Sequence, residues 1–134
     1  WFEQPADPKA TNWERHRTFT GYSLNNLDLG DFDQDGDFDI ITSEHKGTEL
    51  KLLLFENDGR GHFTEHILDR GKESHLGTQA SDLDGDGDLD LVSIGWDDFK
   101  FLHIWRNDAI KLAHASSSTA SSISPPKPNS AQEP

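Results

Sequence analysis

The chain has 134 residues, which fits one small domain, and 32% of them are hydrophobic, which is little material for a core. Its formal net charge of -13 comes from 25 acidic and 12 basic residues and argues against nucleic acid or anionic membranes as partners. The chain has no cysteine, which excludes disulfides and thiolate metal sites, and no apolar run long enough to cross a bilayer, so no membrane insertion is expected.

The first predicted elements are two short strands that resemble strands found later in the chain. Residues 1–4 weakly resemble residues 55–58, and residues 13–16 match residues 63–66. Self-similarity of this kind is typical of repeat proteins. We therefore interpret residues 1–20 as a partial blade that holds the outer strands of a repeating β-unit.

Residues 21–71 carry the signals of four strands and are predicted to be a complete blade. The sequence Asn57-Asp58-Gly59 predicts a hairpin turn before the last strand. The second strand does not alternate between polar and apolar residues, so we expect both of its faces to be covered, as in blades stacked side by side. The four predicted strands are 24–30, 38–43, 50–56 and 63–68.

Residues 72–115 repeat the first three strands of this unit and are predicted to be an incomplete blade. Phe55-Glu56-Asn57-Asp58 recurs as Trp105-Arg106-Asn107-Asp108, an offset of 50. The predicted strands are 77–81, 89–94 and 101–106.

The predicted fold class is all-β, a partial β-propeller made of four-stranded antiparallel blades with Asp-rich loops between strands 1 and 2. Closed propellers typically need about 4–8 blades. We therefore expect further blades, in a longer chain or by self-association, or a ring-closing overlap in which residues 1–20 supply the strand missing from the last blade. Residues 116–134 are rich in Ser, Thr and Pro and are predicted to be a disordered tail.

Two acidic windows, residues 31–39 and 82–90, hold ten of the 25 acidic residues, and each carries five aspartates at alternate positions. Ca²⁺ takes about 6–8 oxygen ligands, which a tight loop supplies from alternating residues with a glycine at the bend. We therefore predict two Ca²⁺ ions, one in each loop, held by side chains at positions 1, 3, 5 and 9 and by the carbonyl at position 7. Phe38 and Leu89 are expected to point into the blade beside each loop. The predicted ligands are Asp31, Asp33, Asp35, Asp37 and Asp39 in the first loop, and Asp82, Asp84, Asp86, Asp88 and Asp90 in the second.

A solvated acidic turn is the alternative to a metal site, since runs of charge are often only that. Five alternating carboxylates repel one another without a counter-ion, and the same arrangement occurs twice at equivalent places. The crowd of protein oxygens favours calcium over magnesium, and the lack of His and Cys in both loops disfavours zinc and copper. An EF-hand needs a glutamate at position 12, where this chain has Thr42 and Ser93.

The Asp-rich loop, the apolar strand after it and the Asn-Asp turn together resemble the FG-GAP/VCBS-type repeats of integrin α-subunit propellers and of many secreted bacterial proteins. The resemblance covers about residues 21–108 well and residues 1–20 loosely. It implies that the loop aspartates bind Ca²⁺ and that the repeats form propeller blades. The Phe-Gly and Gly-Ala-Pro signatures are not visible, which favours the bacterial type over the integrin type.

The resulting hypothesis is a calcium-binding propeller segment of a secreted or cell-surface protein that recognises or adheres to an extracellular protein or glycan. The alternative is part of a propeller enzyme, such as a polysaccharide lyase or hydrolase. His45, His75 and Trp96 are the best candidates for a functional site of that kind because they are not repeated. A general base also needs a partner acid and a pocket, which the sequence does not reveal, so a non-enzymatic role is favoured.

Overall fold

The computed structural model describes residues 1–71, 75–95 and 100–108. This part of the chain contains nine strands and no helix, which confirms the all-β prediction. The strands are β1 Phe2–Glu3, β2 Glu14–Arg15, β3 Leu24–Gly30, β4 Asp39–Glu44, β5 Leu52–Asn57, β6 Phe63–Asp69, β7 His75–Ser81, β8 Asp90–Gly95 and β9 Leu102–Trp105.

The strands form three antiparallel sheets in simple chain order: β1-β2, β3-β4-β5-β6 and β7-β8-β9. The sequence pattern predicts all of β3 to β9, with ends that differ by at most two residues from the observed ones. The predicted tail, residues 116–134, lies outside the described residues. No helix of membrane-spanning length and hydrophobicity occurs in the described ranges.

The second strand of the four-stranded sheet is covered on both faces, as its lack of alternation predicts. In β4, Ile41 and Ser43 are fully buried, and their neighbours Thr42 and Glu44 are each only 6% exposed. Thr42 donates to the backbone carbonyl of Asn26 at 2.6 Å, which satisfies the buried hydroxyl.

A hydrophobic core cluster lies between the four-stranded sheet and the β7-β8-β9 sheet. On the first side are Phe32, Ile41, Leu52 and Leu54, and on the second are Ala80, Leu89, Leu91 and Trp105. A Cβ on Gly30 would collide with Leu89 Cδ1, so the absence of a side chain at residue 30 permits this close approach. The two repeats therefore pack through non-equivalent residues: Gly30 directly precedes the first loop, whereas Leu89 lies near the end of the second loop.

The two residues expected to anchor the loops behave differently. Leu89 packs against the core, as predicted. Phe38, at the equivalent position, is 68% exposed, so that prediction was wrong. The size of the preceding sheet accounts for the difference: Leu89 packs against the core residues of the four-stranded sheet, whereas the sheet before Phe38 in the described part of the chain, β1-β2, has two strands.

Candidate metal-binding loops

The first Asp-rich loop joins β3 to β4 and brings three carboxylates together. One oxygen each from Asp31, Asp33 and Asp39 lies within 4.8 Å of the other two. Asp31 Oδ1 is buried and has no hydrogen-bond partner among the described residues, although Asp31 Oδ2 accepts from the N–H of Gly36 at 3.1 Å. A buried carboxylate oxygen without a donor is costly, and a cation would satisfy it.

The second loop joins β7 to β8 and gathers an overlapping set of positions. Oxygens of Asp82, Asp84 and Asp86 lie within 4.8 Å of one another. The N–H of Gly87 donates to Asp82 Oδ2 at 3.1 Å, the same bond that Gly36 makes to Asp31. The first loop thus groups positions 1, 3 and 9, and the second groups positions 1, 3 and 5, so each cluster holds three of the four side-chain positions predicted for calcium.

The remaining predicted ligands lie in the same loops but outside these clusters. Asp35 Oδ1 accepts from the N–H of Asp37 at 3.0 Å. Asp37 lies against the hairpin after β5, where a Cβ on Gly59 would collide with its carboxylate. The side chain of Asp88 is 1% exposed. The predicted ligand roles of all ten loop aspartates stay predictions.

The last aspartate of each loop connects the loop to the end of the third strand of its sheet, which is β5 in the first repeat and β9 in the second. Asp39 is fully buried and accepts from the N–H of Phe32 and the N–H of Asn57, both at 2.9 Å. Asp90 makes the same pair of bonds, to Leu83 at 2.9 Å and to Asn107 at 2.8 Å. Each carboxylate oxygen has more than one lone pair, so these bonds and a metal contact are compatible.

The sequence did not reveal these two asparagine contacts, although a signal for them existed. Asn57 and Asn107 recur at the repeat offset of 50, a signal that a turn residue alone also explains. Two contacts between the repeats were also missed: Asp28 accepts from the N–H of Ala80 at 2.8 Å, and Gln34 Nε2 donates to the carbonyl of Gly87 at 2.8 Å. The second of these bonds joins the two loops directly.

Left-handed backbone at two positions shapes both loops. At position 6, Gly36 and Gly87 have φ of 100° and 96°. At position 4, Gly85 has φ of 79°, and the equivalent Gln34 has φ of 63°. Non-glycine residues are strained in this region, so the second loop holds the same shape with less backbone strain.

The first loop concentrates negative charge. Although Asp33 lies at the surface, the protein atoms around it displace water and raise the pKa of its carboxyl. The negative charges of Asp35, Asp39 and Glu56 raise this pKa further, against the opposing hydrogen bond from the N–H of Asp35. A divalent cation in the loop would relieve this repulsion.

The residues beside the two loops differ in charge. Beside the first loop, Glu56 Oε2 lies 2.7 Å from His66 Nε2. Beside the second, Arg106 Nη2 donates to Asp108 Oδ2 at 2.7 Å, and Arg106 Nη1 lies 4.0 Å from Asp84 Oδ2. The hydrogen bond to Asp108 raises the pKa of Arg106, and the charges of Asp84 and Asp86 act in the same direction.

The candidates for an enzymatic site lie elsewhere. His45 follows β4 at the end of the sheet opposite the first loop, and its N–H donates to the carbonyl of Ser23 at 2.9 Å. His75 begins β7, but its side chain lies outside the described residues, as does Trp96.

Comparison with known families identifies one segment of the chain. Residues 31–93 match the family model described as an FG-GAP-like repeat. The matched segment begins at the first residue of the first loop and extends through the second loop into β8. No curated protein and no solved structure matches the chain.

Proposed function

Residues 31–93 are an FG-GAP-type repeat, a β-rich repeat typical of extracellular and cell-surface proteins, and from this premise we propose that the chain is a calcium-stabilised segment of a recognition propeller. Each Asp-rich loop binds one Ca²⁺. The ion neutralises the loop and fixes the path from the first strand of a blade to the second.

One observation supports this proposal above the others. In the first loop, oxygens of Asp31, Asp33 and Asp39 converge to within 4.8 Å, and in the described part of the chain the buried Asp31 Oδ1 lacks a hydrogen-bond partner. The donor set is made of oxygens only, which suits a hard cation of calcium's size. The loop is not preformed in the unfolded chain, so the energy of ion binding adds to the free energy of folding.

Thermal unfolding of Asp35→Ala and Asp86→Ala tests this role. Both variants should melt at a lower temperature than the parent in calcium and at nearly the same temperature as the parent in chelator. Glu65→Ala, which removes an exposed acid from β6, is the matched control and should not change the calcium effect. Variants that melt like the parent under both conditions would refute the structural role of calcium.

The wider role that we propose is recognition of an extracellular protein or glycan. Between the N-terminal strands and β3, an open cavity of about 500 Å³ is lined by residues that include Trp1, Phe2, Arg15 and Arg17. Aromatic rings stack on sugar rings, and the two arginines suit acidic groups.

A glycan array, followed by turnover assays on every glycan bound, separates recognition from catalysis. Binding without turnover is the expected result. Trp1→Ala should weaken binding, whereas Trp13→Ala, which changes a ring outside the cavity, should not. Equal binding by both variants would remove the cavity as the recognition site, and turnover that is lost in His75→Ala would favour the enzyme.

A further inference from the structure

The two Asp-rich loops have almost the same backbone bonds but opposite charges at one neighbouring position. Glu56 and Arg106 each stand directly before the asparagine whose N–H donates to the last aspartate of the loop, at 2.9 Å in the first repeat and 2.8 Å in the second. These two residues therefore occupy equivalent places beside the two loops.

Beside the second loop, this position places a guanidinium near a predicted metal ligand. Arg106 Nη1 lies 4.0 Å from Asp84 Oδ2. The other side of the guanidinium is held by Asp108, whose Oδ2 accepts from Arg106 Nε at 3.1 Å and from Nη2 at 2.7 Å. The positive charge is thus fixed beside position 3 of the loop, where it repels a cation.

Beside the first loop, the same position adds negative charge. Glu56 directly precedes Asn57, whose N–H donates to Asp39 of this loop at 2.9 Å, and the Glu56 carboxylate lies 2.7 Å from the imidazole of His66. The equivalent of Asp108 is Asp58, whose Oδ2 lies 2.9 Å from the imidazole Nδ1 of His62, where Asp108 instead bonds a guanidinium. With histidines neutral, the formal charge of Glu56 and Asp58 together is -2, whereas the formal charges of Arg106 and Asp108 cancel.

We propose that this position sets the calcium affinity of each loop, so that loop 31–39 binds Ca²⁺ more tightly than loop 82–90. The inference rests on the calcium sites of the proposed function. Calcium affinity in loops of oxygen ligands depends on their charge and rigidity, and a nearby fixed charge acts in the same way on a divalent ion. For partly exposed groups, reversal of one such charge should change the dissociation constant on the order of tenfold.

Calorimetric titration of calcium chloride into the chelator-treated full chain provides the test. The parent should bind two ions in two steps, and Asp35→Asn should remove the tighter step while Asp86→Asn removes the weaker one. Arg106→Glu should tighten the weaker step about tenfold, and Glu56→Arg should weaken the tighter step by a similar factor. Both changes in the dissociation constant should be smaller in 1 M salt, because the Debye length there is about 3 Å and the charges are screened.

Arg70→Glu is the matched control, because it makes the same change in net charge at the opposite end of the sheet, where Arg70 pairs with Glu49 at 3.0 Å. It should leave both steps within about twofold of the parent. Arg106→Gln, which removes the charge without reversing it, should give a smaller shift in the same direction and serves if Arg106→Glu fails to fold.

The possible failures are distinguishable. If the parent binds two ions but Arg106→Glu and Glu56→Arg titrate like Arg70→Glu, the inference is wrong and the calcium sites stand. The inference is also wrong if Asp35→Asn removes the weaker step. If the parent takes up no calcium, the proposed function itself fails.

Discussion

The backbone N–H of Asn57 donates to the buried carboxylate of Asp39 at 2.9 Å. The other oxygen of Asp39 accepts from the N–H of Phe32, also at 2.9 Å, so one side chain links the start of the Asp-rich loop to the end of β5. Asp90 repeats this arrangement with Asn107 and Leu83. The last aspartate therefore organises the loop through bonds from backbone N–H groups on two different segments.

Asp39→Asn should destabilise the chain in chelator as well as in calcium. The amide replaces one acceptor with a donor that faces a backbone N–H, and the cost should be about 2–3 kcal/mol in the free energy of unfolding. Urea unfolding with and without calcium measures it. Asp35→Asn is the control and should lower stability only in calcium, so an Asp39→Asn variant with the same calcium dependence would contradict the proposed backbone role.

Gly36→Ala should destabilise the first loop through the backbone alone. The φ of Gly36 is 100°, where an L side chain is strained, yet a Cβ there would meet no atom within 4 Å. We expect a loss of at least about 1 kcal/mol in thermal or urea unfolding. Gln34→Gly relieves the strain at φ 63° but removes the bond to Gly87, so it should be nearly neutral, and an equal loss in both variants would contradict this view.

Leu91→Ala should destabilise both large sheets together. Leu91 is 4% exposed and belongs to the core cluster that also contains Ile41 and Leu52 of the other sheet. The loss should be about 2–5 kcal/mol, with one cooperative transition. Ile94→Ala, at a position 52% exposed, is the control and should stay within about 0.5 kcal/mol. Two separate transitions in the parent would show that the sheets do not fold as one unit.

Asp58 should titrate far below an ordinary aspartate. The hydrogen bond from His62 lowers the pKa of Asp58 from 3.8 to about 2, with help from the N–H of Arg60. A lowered pKa in the folded chain contributes stability that is present above pH 3.8 and is lost as the pH falls through about 2. An NMR titration of the Asp58 carboxyl measures the midpoint. His62→Ala should move it toward 3.8, and an unchanged midpoint would assign the shift to another cause.

The regular part of the fold was predictable because it repeats. The turn residues recur at an offset of 50 and the Asp-rich loops at an offset of 51. Together they predict the ends of β3 to β9 to within two residues. The grouping of Asp31, Asp33 and Asp39 follows from their alternation in a tight loop. Local sequence carries this information, since strand alternation and turn chemistry act over a few residues.

The contacts between repeats were not predictable in the same way. Asp28 accepts a bond from Ala80, and Leu89 packs beside Gly30, because the sheets stack at an offset that no local pattern encodes. Phe38 shows the limit most clearly: its position matches that of Leu89, yet its exposure depends on which sheet precedes it. Such features depend on tertiary packing and not on propensity.

The number of calcium ions bound per chain tests the central claim most directly. Equilibrium dialysis of the chelator-treated chain against a series of calcium concentrations should show saturable uptake of two ions, one for each loop. The double variant Asp35→Ala with Asp86→Ala should lose most of this uptake, while Glu65→Ala retains it. Uptake that never saturates, or equal uptake by the double variant and the parent, would contradict the assignment of the Asp-rich loops as calcium sites.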